Sequence, residues 1–363
     1  MINLLIPTMP NDTHAIYVHL AIQQKGHNSL LWQTADFPTL QMHSFEFNNK
    51  ELHWAAHGPN FSIQNQFFDV VWYRRPRPPL LSNKLHQDDR KSSKKENRAL
   101  FNSFWHIIAP DALWVNSDEN AKRANCKMLQ LKVAMQLGLM IPKTLMSNDP
   151  AKIRKFIIDN GPNNTIYKTF CPLAWQPSPY GHLAYSTVVT PESLSSDELL
   201  QSTAGIFQEK ITKAFELRVT YFGTHPVAVK LCSQEHPQGQ IDWRAIPDQE
   251  LVIEPYQLPD AIHEKCKALM DVFGLLFGCF DFIVTPANEY YFLEINEQGQ
   301  FLWIEDVNPD IKMLDIFSEF LIGKNKQFAY KEHKNSILLS DLSTEVAEIK
   351  AKAVAEHLYS MVC

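Results

Sequence analysis

The chain has 363 residues, enough for two or three domains around a sizeable core. Hydrophobic residues make up 45%, charged residues 20% and the formal net charge is −6, which argues against intrinsic disorder and gives no support to a nucleic-acid or acidic-membrane partner. Six cysteines with no C-x-x-C pair signal neither a zinc site nor a disulfide framework, and the apolar run near 273–284 contains Asp281 and is too short to span a bilayer. The opening MINLLIPTMPND lacks a basic lead, so a reduced, cytoplasmic protein is expected.

Residues 2–6 form an apolar run, 7–12 a turn, and 14–24 a helix with Asn11 or Asp12 as N-cap; Gly26 ends it and 29–33 read as the next strand. Strand, helix, strand is a small α/β layer. The strand at 69–73 runs into Arg74-Arg75-Pro76-Arg77, arginines that either grip a carboxylate or phosphate through a bidentate fork or pair structurally with nearby acids. The charge-rich stretch 82–98 reads as a solvated loop or helix face. A buried strand at 112–115 closes the first unit, and Asn116-Ser117-Asp118 cap one long helix over 119–137, stopped by Gly138.

Further on, a helix at 153–158 and a turn lead to a strand at 165–168. Its terminal Lys168 is either a point charge for phosphate oxygens or a solvated strand end. Strands follow at 205–211, 215–223 and 227–231; alternation puts Glu216 and Arg218 on one face of the second. An amphipathic helix at 260–272 enters LLFGCFDFIVTPANEYYFLEINEQGQFLWIE, which reads as two buried strands around the turn Pro286-Ala287-Asn288-Glu289. Glu294 and Asn296, two apart, share a face, and antiparallel pairing brings Asp281 near them. Two carboxylates and an amide on rigid strands suit a hard cation such as Mg2+; a solvated amphipathic hairpin is the alternative. Helices at 310–321 and 343–361 complete the chain.

A strand Asp followed by Glu-x-Asn on the next strand is the signature of ATP-grasp ligases. The longer FLEINEQGQFLWIE, with Gly299-Gln300-Phe301-x-Trp303-Ile304-Glu305, resembles the branch that matures ribosomally made peptides, the microviridin-type or graspetide macrocyclases. Asp12, His14 and Thr34-Ala35-Asp36-Phe37-Pro38 are similar to the pre-ATP-grasp domain of those enzymes, and Ile241-Asp242-Trp243-Arg244 is a further match. The resemblance implies an α/β fold with four parts: a pre-ATP-grasp domain over 1–115, a central or lid lobe over 116–206, a C-terminal ATP-grasp lobe with the metal hairpin over 207–330, and a helical extension over 331–363. It implies ATP and Mg2+, with Asp281, Glu294 and Asn296 as metal ligands and Arg218 and Arg244 as catalytic groups at the transferred phosphoryl. Lys127 and Lys168 are implied at the phosphates, with a surface lysine the equal alternative for Lys127. Gln208, Glu209, Lys210 and Ile211 would frame adenine and ribose, with Glu216 and Lys230 completing the nucleotide set. One departure stands out: 170–187 has only Gly181, among Pro172, Pro177 and Pro179, where many relatives place a glycine-rich phosphate cover.

The implied activity is ATP-dependent ester or amide crosslinking of a leader-bearing precursor peptide whose core is rich in Ser, Thr, Asp and Glu, by a homodimeric enzyme. The alternatives are a ligase adding glutamate or a similar amino acid to a peptide tail, and a non-catalytic protein that senses ATP or peptide.

Overall fold

The computed structural model describes residues 1–59, 61–170, 174–175, 182–183, 186–247 and 249–358. In chain order the first elements are β1 (Asn3–Thr8), α1 (Thr13–Gln24), β2 (Asn28–Gln33), β3 (Met42–Phe47), β4 (Leu52–Gly58), β5 (Phe61–Gln64), β6 (Val70–Trp72), α2 (Gln87–Phe104) and β7 (Leu113–Val115). A parallel sheet of order β2-β1-β6-β7 forms the layer the sequence predicts. Asp12 is the N-cap of α1, its carboxylate accepting from the Ala15 amide, so a first-turn donor is satisfied where the helix meets the sheet.

One feature of this region differs from expectation. The antiparallel sheet β3-β4-β5 was not anticipated. Its strands bury only Trp54, Ala56 and Ile63, so the alternation is diluted by exposed histidines and polar residues. The charged stretch is the helix α2, one of the two forms expected, with its charged residues largely exposed and its last turn anchored through Phe101 and Phe104 beside Trp32 and Trp105.

Next come α3 (Asp118–Ala124), α4 (Lys127–Gln136), β8 (Thr144–Ser147), α5 (Pro150–Asn160), β9 (Thr165–Lys168), β10 (Ala174–Trp175), β11 (His182–Leu183), β12 (Thr187–Val189), α6 (Asp197–Ser202) and β13 (Gly205–Glu209). The single long helix expected after residue 118 is in fact two. Asn125 closes α3 and Cys126 opens α4, which re-aims the chain so that Gln130 of α4 reaches the backbone of Ile295. Strands β12-β9-β13-β8 form an antiparallel sheet. The prolines and Gly181 of the expected phosphate cover lie outside the described residues.

The last part holds β14 (Phe215–Phe222), β15 (His225–Leu231), β16 (Ile253–Pro255), α7 (Asp260–Phe273), β17 (Phe277–Val284), β18 (Tyr290–Asn296), α8 (Trp303–Val307), α9 (Met313–Gly323) and α10 (Leu339–Glu356). The antiparallel sheet β16-β15-β14-β17-β18 carries the hairpin. One face packs Leu217, Phe282 and Phe292 against α7 through Leu269, Met270 and Phe273. Each such phenylalanine contributes roughly 1.5–3 kcal/mol by burial, which fixes the register of the opposite, polar face. No described helix is long and apolar enough to cross a membrane.

Candidate active site

The register of β14, β17 and β18 assembles the centre. Arg218 stands opposite Asp281, and Asp281 opposite Glu294, with an irregularity just after Asp281. Arg218 donates from Nη1 to both carboxylate oxygens of Asp281, at 2.8 and 2.9 Å, and from Nη2 to the Gln300 carbonyl at 2.9 Å. Lys127 Nζ lies 2.5 Å from Glu294 Oε2. Asn296 is exposed at the end of β18, and its Oδ1 accepts from the Gly299 amide at 3.1 Å.

Lys168 donates to Gln208 Oε1 at 2.8 Å, and Gln208 passes the chain on to Thr144 Oγ1 at 2.9 Å. Burial depresses the Lys168 pKa, against the opposing pull of the Glu294 and Asp242 carboxylates. Arg244 is half exposed and forked on Asp242, with Nε to Oδ1 at 2.8 Å and Nη2 to Oδ2 at 2.6 Å. Burial pushes Asp242 up, but the hydrogen bonds and charge of Arg244 outweigh it and hold Asp242 at about 2. The Asp281 and Glu294 charges also act on Arg244. Lys127, Lys168, Arg218 and Arg244 thus share one electrostatic neighbourhood with Asp281 and Glu294.

This neighbourhood fits a divalent cation and an anion. Burial first, and then the Glu294 charge, push Asp281 up, whereas Lys127 and Lys168 draw Glu294 down against its own burial. Two adjoining carboxylates with one disfavoured in its charged form are relieved by a cation between them. In addition, Arg218 Nε is buried without a hydrogen-bond partner, a donor for an oxyanion.

Other expected nucleotide residues lie apart from this group. Paired strand residues share a face, so Lys230, opposite Leu217, lies on the far side of the sheet from Arg218. There it pairs with Glu254 at 2.9 Å and sits over the Phe215 ring. Glu216 shares the Arg218 face but is bound to Lys213 at 2.6 Å, and Lys213 also donates to the Gly239 and Ile241 carbonyls. That pair steadies the segment leading to Arg244. Burial raises the Glu216 pKa, opposed by Lys213. Strand β13 ends at Glu209: the Glu209 carboxylate accepts from the Lys143 amide at 3.3 Å, Lys210 is exposed with its amide on the Asn164 carbonyl, and Ile211 is half-buried beyond the strand end.

Further residues hold the centre: the sequence left Arg74 open between gripping an anion and pairing with a nearby acid, named His14 only in the resemblance, and assigned Gln130 and Asn116 no site role. Gln130 accepts from the Ile295 amide and donates to the Ile295 carbonyl, at 2.9 and 2.8 Å, between Glu294 and Asn296. Asn116 donates to the Glu297 carbonyl at 2.9 Å. Arg74, fully buried, donates to Asp12 at 3.1 Å, to the Gly299 carbonyl at 2.9 Å and to the Gln298 carbonyl. His14 Nε2 accepts from the Phe301 and Leu302 amides at 3.1 and 3.2 Å; burial and then the Arg74 charge hold its pKa down at about 3, so the ring is a neutral acceptor. Gly299 has φ +27°, and an added Cβ would fall 2.2 Å from Cys279 Sγ, which only glycine avoids. Trp243 stacks on Trp303 at 4.9 Å, so the segment holding Arg244 rests on the helix that follows the hairpin. A side-chain amide far from the hairpin in sequence gives no local pattern, whereas Asp12 and His14 stood in the pre-ATP-grasp resemblance and Arg74 ended a strand as an anion grip or acid partner; the structure shows it paired with Asp12.

Comparisons with known proteins agree in kind. The family model of the MvdD pre-ATP-grasp domain matches residues 3–122. The chain is similar to the macrocyclase MdnC of Microcystis aeruginosa, solved with the precursor peptide MdnA, at 31% identity and TM-score 0.76, over 88% of this chain and 99% of that one. It is similar to a RiPP-associated ATP-grasp ligase of Chryseobacterium gregarium, solved with ADP and a leader and core peptide, at 25% identity and TM-score 0.79, over 93% and 100%. The macrocyclase MdnB of Microcystis aeruginosa aligns at 28% identity and TM-score 0.72, over 88% and 98%. No curated protein matches.

Proposed function

Because the chain belongs to the graspetide-type ATP-grasp ligases and carries their pre-ATP-grasp domain, we propose that it is an ATP-dependent macrocyclase of a ribosomally made precursor peptide. The observation that supports this is the gathering of Lys127, Lys168, Arg218 and Arg244 around Asp281 and Glu294. Phosphoryl transfer asks little of a protein beyond position and compensating charge, and this group supplies both.

In this reading an Asp or Glu side chain of the peptide attacks the terminal phosphoryl of ATP, giving an acyl phosphate and ADP. A Ser or Thr hydroxyl, or a Lys amine, of the same peptide then attacks the carbonyl carbon; the C–O bond to phosphate breaks, the nucleophile loses its proton, and inorganic phosphate leaves. Asp281, Glu294 and Asn296 are the residues that would hold Mg2+, which when bound neutralises phosphate charge and orients the phosphate oxygens. Arg218, anchored by Asp281 and the Gln300 carbonyl, presents its free Nε edge to the moving phosphoryl. Arg244, held in a fixed fork by Asp242, leaves one face open to the acyl phosphate. Lys168 contributes a point charge kept in place by Gln208. In this assignment Glu216 acts through Lys213, not on the nucleotide, and Lys230 is a surface partner of Glu254.

The test is mass spectrometry of a cognate precursor co-expressed with the enzyme. Cyclisation removes one water per bond with wild type and none with Glu294→Gln. A mass increase by whole residues points instead to an amino-acid ligase, and an unmodified peptide with no ADP release points to a binding protein.

A further inference from the structure

Six consecutive residues after the hairpin, 297–302, each have a backbone group held by a side chain from elsewhere in the chain. Asn116 takes the Glu297 carbonyl, Arg74 the Gln298 and Gly299 carbonyls, Arg218 the Gln300 carbonyl, and His14 the Phe301 and Leu302 amides. Apart from Arg218, all of these side chains belong to residues 3–122, the stretch matched by the pre-ATP-grasp model. This loop is not a passive connector. Its Gly299 amide donates to Asn296 Oδ1, and its Gln300 carbonyl receives the guanidinium that grips Asp281. A shift of the loop therefore moves an amide ligand and, through Arg218, a carboxylate ligand together.

We infer that the pre-ATP-grasp domain sets the cation affinity of the active site: His14, Arg74 and Asn116 are positioning residues that clamp the 297–302 loop and so fix Asn296 and Asp281 in their ligating poses. The inference rests on the proposed Mg2+ site. Two details favour positioning over simple docking. Arg74 is wholly buried, yet its Nη2 has no hydrogen-bond partner, so a fully satisfied or apolar side chain would serve mere packing better. His14 is held neutral by burial and by Arg74, which keeps Nε2 an acceptor for two successive amides; a protonated ring would lose both. Its ring also meets Phe301 edge-on at 5.4 Å, so contact and hydrogen bond can be separated by mutation.

The experiment is a Mg2+ titration of binding of a fluorescent ADP analogue to the full chain, with a parallel measurement in EDTA. Arg74→Gln is expected to raise the Mg2+ concentration for half-maximal binding about tenfold, and His14→Phe about threefold, within the range typical when the hydrogen-bond support of metal ligands is lost. Binding in EDTA should stay within about twofold of wild type. Amide hydrogen exchange at Phe301 and Leu302 should accelerate in His14→Phe, a readout independent of nucleotide and of activity. If Arg74→Gln does not fold, His14→Phe, which keeps the aromatic contact, carries the test. An unchanged Mg2+ midpoint, or an equal loss with and without metal, overturns the inference. A wild-type enzyme whose ADP binding ignores Mg2+ overturns the cation site beneath it as well, and so distinguishes the two failures.

Discussion

Two groups of buried or half-buried acids sit on either side of the same loop and do opposite things. Asp281 and Glu294 face long cationic side chains, Arg218 and Lys127, and neither carboxylate meets a backbone amide among the described contacts. Glu305 and Asp315 instead spend their oxygens on the fold. Glu305 accepts from the Leu314 and Leu339 amides at 2.9 and 2.7 Å, tying together the starts of α9 and α10. Asp315 takes Lys25 at 2.7 Å, the Ile337 amide at 3.1 Å and the Tyr330 hydroxyl at 2.8 Å. With Glu319 and His333 it even forms a cluster of metal-ligand type, but the Lys25 ammonium already lies 2.7 Å from both carboxylates. Acid content is therefore not the mark of the reactive site. What distinguishes it is that, among the described contacts, side-chain cations alone hold the carboxylates there, whereas backbone amides hold both Glu305 oxygens and share Asp315 with Lys25 and Tyr330.

The largest effect should come from removing a reactive carboxylate. Glu294→Gln and Asp281→Asn are each expected to lower peptide-dependent ADP release by at least about a hundredfold, in the range seen when transition-state charge compensation is removed. Their melting temperatures should stay near wild type; a variant that melts early while its folded fraction still turns over would erase the contrast. Next is Arg218→Lys, expected to cost about tenfold to a hundredfold in kcat, because an ammonium cannot hold Asp281, the Gln300 carbonyl and a phosphoryl oxygen at once.

On the structural side, Glu305→Ala should leave two buried amides unpaired and destabilise the fold by about 2–4 kcal/mol in denaturant titration, with kcat of the folded enzyme within about twofold. Its pH signature sharpens the point. Burial raises Glu305 from 4.5 to about 7 despite the two amides. The folded protein then holds this proton more tightly than the unfolded chain does, so the group's contribution is complete below about pH 4.5 and declines as pH rises through 7. Unfolding curves from about pH 5 to about pH 8 should show wild type losing on the order of 2 kcal/mol that Glu305→Gln does not lose. The smallest effect is Lys230→Ala, whose partner Glu254 lies on the other face of the sheet: stability within about 0.5 kcal/mol and nucleotide binding within about twofold.

Much of this was legible before any coordinates. The strand carrying Glu216 and Arg218 and the hairpin with its apolar phenylalanines announced their type as short, mostly buried apolar runs, and the few polar residues interrupting them, two apart, marked the face that carries the site. The helix split at Asn125 and Cys126 was only softly signalled, by an asparagine behind Lys122-Arg123, and Gln130 of α4 ties it by donating to the Ala124 and Ile295 carbonyls. The exclusion of Lys230 from the centre was not legible: its face depends on register with Leu217, a long-range fact. Gln130 and Asn116 were invisible as site residues for the same reason, their partners being backbone atoms 165 and 181 positions away, and the hold of Arg74 on the Gly299 carbonyl, 225 positions off, was equally hidden.

The outer rim of β18 has a bearing on assembly as well as chemistry. This strand ends its sheet, where open amides and carbonyls invite pairing with another molecule. Met140 occupies it at Phe292, and the Gln130 carboxamide, offering one donor and one acceptor to Ile295, mimics a neighbouring peptide unit. Replacing Gln130 with leucine would thus uncap a sticky border, and soluble aggregates should appear in size-exclusion chromatography even where the monomeric fraction stays folded.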